Sequence, residues 1–120
     1  MTKLGRIVPS QAPAVEHRAA PRVSAELDVR VRITAADVAY WGKTTNISTA
    51  GSYVATRSPT PVGADLDFEL YVEGSLLPLQ LGGRVVRHGG EHEPPGMGVS
   101  FLWLSHAALV LIARLVDRGG

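Results

Sequence analysis

An all-β fold is predicted for this chain: a six-stranded antiparallel β-barrel followed by a single C-terminal α-helix. Three observations predict it. Two runs alternate apolar and charged residues with period two, Leu27, Val29, Val31, Ile33 against Glu26, Asp28, Arg30, Arg32, and Leu66, Phe68, Leu70, Val72 against Asp65, Asp67, Glu69, Tyr71. Short turn signals recur between strand-like runs at near-even spacing. After Ser105 the apolar period changes from two to that of a helix.

The elements follow in order. Residues 1 to 16 carry Pro and Ala without periodicity and read as a flexible tail, leaving residues 17 to 118 as the folded domain. The first strand begins at Ser24, and Thr34 to Asp37 turn the chain. A second strand runs from Val38 to about Asn46, Ser48 to Gly51 form the next turn, and Ser52 to Thr56 make a short third strand. Ser58-Pro-Thr-Pro-Val-Gly63 is a loop by composition. The fourth strand is the alternating run ending near Val72, and Glu73-Gly74-Ser75 is a hairpin turn. The fifth strand opens with Leu77, Leu79 and Leu81, with Gly82-Gly83 expected to bulge or kink it. His88 to Pro95 form a polar loop before a sixth strand from Gly98 to Trp103. Ser105 is an N-cap residue, and Leu109, Ile112, Leu115 and Val116 share one helical face that Gly119 and Gly120 end.

Bulk properties narrow the function. At 120 residues the chain supports one domain with its own core. Cys is absent, which excludes disulfides and thiolate metal sites. The net charge of +1 marks neither a nucleic-acid nor a membrane surface. The cations are mostly Arg, which favours planar bidentate recognition over diffuse charge. No apolar run reaches the ~18 residues of a membrane span, and no secretory signal opens the sequence, so a cytoplasmic protein is expected.

Most candidate chemistries fail on context. Gly42-Lys43-Thr44 resembles the end of a phosphate loop, but Asp37 replaces its first glycine and no helix follows. Gly96-Met97-Gly98 lacks the third glycine of a dinucleotide turn. His88 and His92 have metal-ligand spacing only on a helix, which Gly89-Gly90 and Pro94-Pro95 forbid. Ser100 lacks the glycine of a nucleophile elbow. Asp65, Asp67 and Glu69 read as the wet face of a strand, and Tyr40, Trp41, Phe68, Phe101 and Trp103 as core or half-core. Metal, cofactor and catalysis are therefore not expected.

Two segments remain. Arg18-Ala-Ala-Pro-Arg22 precedes the first strand. Its spacing alone is uninformative, since Arg114 and Arg118 repeat it at the helix end, where cations complement the macrodipole. Pro21, however, disfavours a helical Ala20, so the segment is extended or turned. In an extended chain two arginines four apart face the same way about 13 Å apart. They can then clasp a ligand with separated anionic or guanine groups. Asn46-Ile-Ser-Thr-Ala-Gly51 reads alone as a turn in which Asn and Ser bond their own backbone and Gly51 takes positive φ.

In this order, with 24 positions from Arg22 to Asn46, the segments resemble the signature of the PilZ domain, a bacterial receptor for cyclic di-GMP: Arg-x-x-x-Arg, then (Asp/Asn)-x-Ser-x-x-Gly. Pro61-Val-Gly63, Gly83-Arg-Val-Val-Arg87 and Gly96-Met-Gly-Val-Ser-Phe101 fall in the family's order, and the resemblance covers about residues 16 to 118. It implies the same barrel-plus-helix fold and a ligand, cyclic di-GMP, bound by Arg18, Arg22, Asn46, Ser48 and Gly51. Arg18 and Arg22 would wrap the nucleotide, Asn46 and Ser48 would offer polar groups to guanine or phosphate, and Gly51 would turn the backbone beneath it. Ordering the arm would change the surface shown to a downstream protein partner in motility, pilus or surface-lifestyle control, with no bond made or broken. Ala50 stands where many members carry a second glycine. Some members no longer bind the nucleotide and act as protein adaptors, so the alternative implied is a ligand-independent interaction module.

Overall fold

The computed structural model describes residues 21–119. Arg18, the proposed tail and Gly120 lie outside the described residues. Seven strands and one helix follow in chain order: β1 (Val23–Ser24), β2 (Asp28–Ile33), β3 (Val38–Ile47), β4 (Gly51–Ala55), β5 (Asp65–Tyr71), β6 (Leu79–His88), β7 (Gly96–Leu104) and α1 (His106–Gly119). All pairings are antiparallel, in the order β1-β3-β2-β5-β6-β7-β4. The long β3 also pairs with β4, which closes six strands into a barrel and leaves β1 as a short addition.

Alternation explains the core. Val29 and Val31 on β2, and Leu66, Phe68 and Leu70 on β5, are at most 2% exposed, while the charged residues between them face outward. The β2–β3 hairpin turns where the Ile33 carbonyl accepts from Ala36 and Asp37, with Asp37 at φ 53°. Asp tolerates this left-handed conformation better than most residues. Gly63 and Gly74 take positive φ in the two loops flanking β5.

The strand expected from Ser24 is divided. Residues 25 to 27 face only Thr44 and Thr45, so the ladder is irregular there: the Ala25 amide and Leu27 carbonyl keep backbone bonds to β3, and the buried Thr44 hydroxyl satisfies the two groups left over. Its Oγ1 donates to the Ala25 carbonyl at 2.6 Å and accepts from the Leu27 amide at 2.9 Å. The fifth strand begins at Leu79, not Leu77. Pro78 has no amide to give a ladder, so Leu76 and Leu77 stay in the turn, 99% and 76% exposed.

Three register slips shape the barrel. Opposite Gly82 and Gly83, the extra residue is Leu102 on β7, so the bulge belongs to the partner strand of the two glycines. Leu102 and Trp103 consequently both face out, 52% and 47% exposed, and Trp103 lies across Gly82. Trp41, 58% exposed, stacks on Tyr71 with ring centroids 5.1 Å apart. Of the two tryptophans expected in the core or half-core, Trp103 is thus about half exposed and Trp41 lies further out. The other slips add Thr45 to β3 and one residue between Val85 and Arg87 on β6.

The helix begins as predicted: Ser105 Oγ accepts from the Ala108 amide at 3.2 Å. Its buried face is Ala108, Ile112, Leu115 and Val116, packed towards β1, β6 and β7. Leu109 is 43% exposed, because the helix rolls to set the small Ala108 against the barrel. No helix among the described residues is long and apolar enough to cross a membrane.

Candidate functional site

The β3–β4 connection is the centre of the site, and Ser48 builds it. The Ser48 amide donates to the Gly51 carbonyl at 2.8 Å. The Ser48 hydroxyl accepts from the amides of Ala50 and Gly51 at 3.0 and 3.1 Å, and lies 3.3 Å from the Gly51 carbonyl. One hydroxyl offers one donor and two acceptor positions, so this set uses all of it. Ser48 is 0% exposed. In this arrangement the Ser48 hydroxyl fixes the turn.

Gly51 is required for a reason other than the one expected. It is not among the glycines with positive φ. A Cβ there would strike the carbonyl oxygen of Val99 on the neighbouring β7. The constraint is close approach of two backbones.

Asn46 reaches the surface through the β3 bulge. Thr44 is buried, and strict alternation would turn Asn46 inward with it; the extra Thr45 turns it out. There Asn46 Oδ1 accepts a hydrogen bond from Arg22 Nη1 at 2.7 Å. The contact spans 24 residues of sequence and joins the two motif segments directly. It is supported by β1, which pairs Ser24 with Asn46 and Val23 with Ile47. Arg22, Asn46, Ser48 and Gly51 are thereby brought to one place.

Beside the turn lies a groove of about 170 Å³ between β4, β6 and β7, whose walls include Arg22, Ala50, Gly51, Tyr53, Arg87 and Ser100. Arg87 is a site residue that reading the sequence as alternating strands misses. Val85 points in, so Arg87 two residues on should do the same. The slip that pairs Val85 with Val99 and Arg87 with Gly98 turns it out instead. Its guanidinium sits 5.4 Å from the centre of the Tyr53 ring and makes a two-pronged pair with Glu93, both bonds 2.7 Å. The Arg87 bonds, then the Gly90 amide, pull the Glu93 carboxyl down to a pKa of about 2.

His88, His92 and Asp65 have surroundings of their own. His88 Nε2 lies 2.7 Å from the Thr60 carbonyl, while His92 is exposed in the loop. No cluster of three or more metal-binding side chains occurs among the described residues. Asp65 pairs with Arg84 at 2.7 Å, whose hydrogen bond holds its carboxyl below the usual range.

Comparison with known proteins bears on the family and the fold. The PilZ domain family matches residues 16–118. Among solved structures, the Bacillus subtilis inhibitor of motility MotI (DgrA) superposes with a TM-score of 0.65 at 17% identity, over 82% of this chain and 48% of its own. This chain therefore spans about half the length of that protein. The PilZ domain of CeSA from a cellulose-synthesizing bacterium gives 0.59 at 18% identity, over 81% of this chain and 95% of its own. The PilZ domain of YcgR from Escherichia coli, solved with cyclic di-GMP, gives 0.62 at 12% identity, over 83% and 88%. At these identities the likeness speaks for the fold alone. No curated protein sequence matches the chain.

Proposed function

The chain belongs to the PilZ domain family, and from that premise we propose that it is a cyclic di-GMP receptor that carries out no chemistry on the nucleotide. The observation that carries the reading is the 2.7 Å bond from Arg22 to Asn46. It uses one arm of the Arg22 fork and leaves the other donors for guanine O6 and N7 or for a phosphate. Asn46 holds the fork in place. Ser48 and Gly51 act through the backbone, by letting the turn sit close against β7. Arg18, four residues before Arg22, supplies the second fork.

Sites for ligands of this size measure about 300–1,000 Å³, so a groove of about 170 Å³ seats only part of a cyclic dinucleotide. The rest lies against the arginine arm. Drawing that arm onto the barrel changes the surface seen by a protein partner, which is the signalling step. The receptor unit is residues 17–118 with residues 1–16 as a tail, acting in the cytoplasm in control of motility or surface lifestyle.

Calorimetric titration with cyclic di-GMP, with GTP as control, tests the reading. Wild-type protein binds. Arg22→Ala loses one charge-assisted contact, about 1.5–3 kcal/mol or roughly 10- to 100-fold, and its melting temperature is unchanged because Arg22 is exposed. Absence of heat from the wild-type protein at high ligand concentration refutes it.

A further inference from the structure

Arg87 and Glu93 belong to neither motif segment, yet Arg87 stands in the wall of the groove and Glu93 holds its guanidinium. We propose that Glu93 is an internal competitor of the ligand: its carboxylate occupies the fork of Arg87, and a ligand phosphate displaces it to make Arg87 a further anion-binding residue of the site. The inference rests on the cyclic di-GMP reading.

The geometry of the pair is that of phosphate recognition. Arg87 Nη1 and Nη2 each donate at 2.7 Å to a separate oxygen of Glu93, the parallel fork that a guanidinium offers equally to a phosphate. The carboxylate thus stands where a phosphate's oxygens would. The side chains are 52% and 33% exposed, so the ligand can reach both and the exposed pair holds weakly against a competitor.

Arg87 has a support that does not depend on Glu93. Its stem crosses Gly98, where an added Cβ would lie 3.0 Å from Arg87 Cγ and 3.2 Å from Nε. Its guanidinium stands over Tyr53, whose hydroxyl is tied to the Pro94 carbonyl at 2.5 Å. The fork therefore keeps its place when the carboxylate leaves. Glu93, by contrast, sits in the loop between β6 and β7, held by two contacts with Gly90: its amide donates to the Gly90 carbonyl at 3.2 Å and its carboxylate accepts from the Gly90 amide at 3.0 Å.

A paired arginine alone carries no such inference. Arg84 and Asp65 also pair through two bonds, at 2.7 and 3.4 Å. Arg84 is not in the groove with Arg22. Arg87 combines the fork, the aromatic floor and a place beside Arg22.

The test is titration of cyclic di-GMP into wild-type protein, Arg87→Ala, Arg87→Lys, Glu93→Gln and the Arg87→Ala/Glu93→Gln double variant. Arg87→Ala weakens binding about 10-fold or more, the loss of one charge-assisted contact, and Arg87→Lys, lacking the fork, is intermediate. Glu93→Gln keeps the shape, removes the competing charge and tightens binding several-fold, a gain that misfolding cannot produce. The double variant binds as Arg87→Ala does. If the wild-type protein binds and Arg87→Ala binds equally well, or Glu93→Gln binds no more tightly than wild type, this inference is overturned and the receptor reading stands. If the wild-type protein does not bind, the receptor reading falls and this inference with it.

Discussion

Replacing Ser48 by Ala separates two roles that the motif alone leaves merged. If the hydroxyl touches ligand, its loss weakens binding and leaves stability alone. If it holds the turn, stability falls first. In the structure the hydroxyl is the partner of two amides, Ala50 at 3.0 Å and Gly51 at 3.1 Å, and the residue is 0% exposed. A buried donor left without a partner costs about 1–3 kcal/mol. Gly51 carries that cost in full and the part-buried Ala50 a fraction of it, so the sum is about 2–4 kcal/mol. The space vacated by one oxygen is too small for a replacing water. Each kcal/mol moves the midpoint of a domain of this size by about 4–8 °C, so Ser48→Ala should lower the melting temperature by roughly 10–30 °C. Thermal and urea unfolding followed by far-ultraviolet circular dichroism read this directly. Cyclic di-GMP titration well below the new midpoint reads the other role. A variant that melts with the wild-type protein but no longer binds ligand would refute the reasoning, because Ser48 would then face the nucleotide.

Other perturbations follow from the same geometry. Gly51→Ala drives a methyl group into the Val99 carbonyl, and since backbone cannot step aside as a side chain can, a loss of about 3 kcal/mol in urea unfolding is expected; an unchanged midpoint would show that β4 and β7 can separate freely. Gly82→Ala meets first the ring of the half-exposed Trp103, which can swing away, so the expected result is a red-shifted tryptophan emission with little loss of stability. Glu93 contributes stability that is present above its unfolded pKa near 4.5 and lost as pH falls towards about 2, because its folded pKa is depressed. The gap in melting temperature between wild type and Glu93→Gln should therefore shrink through that window, and a gap constant with pH would contradict the pairing.

Much of the barrel was legible because its cause is local. Val29 with Val31, and Leu66 with Phe68 and Leu70, must face one way once extended, and neighbours need not be known to see it. The same holds for Ser105, whose hydroxyl meets an amide three residues on. Misreadings cluster where a second strand intervenes. The first strand is divided opposite Thr44 and Thr45 of β3, and Leu102, not the glycines of β6, is the bulged residue. Leu109 fits a helical face as well as Ala108 does, and only the barrel's surface chooses between them.

Of the site, the sequence by itself determined the residue types and their order: Arg22, then Asn46, Ser48 and Gly51, with Arg18 in the segment before them. Those are covalent facts, and two of the four described residues, Ser48 and Gly51, act within one turn. What only the tertiary structure decided is which way the polar groups point and what they touch. Asn46 meets Arg22 because Thr45 is an extra residue opposite β4, and Arg87 joins the groove because β6 slips against β7. A bulge is a mismatch between two strands, fixed by how a closed barrel matches its registers. No period-two pattern along one strand can contain it. Ser48 and Gly51 show the same division, since a buried hydroxyl and a missing Cβ acquire their meaning from the turn and from Val99 packed against them.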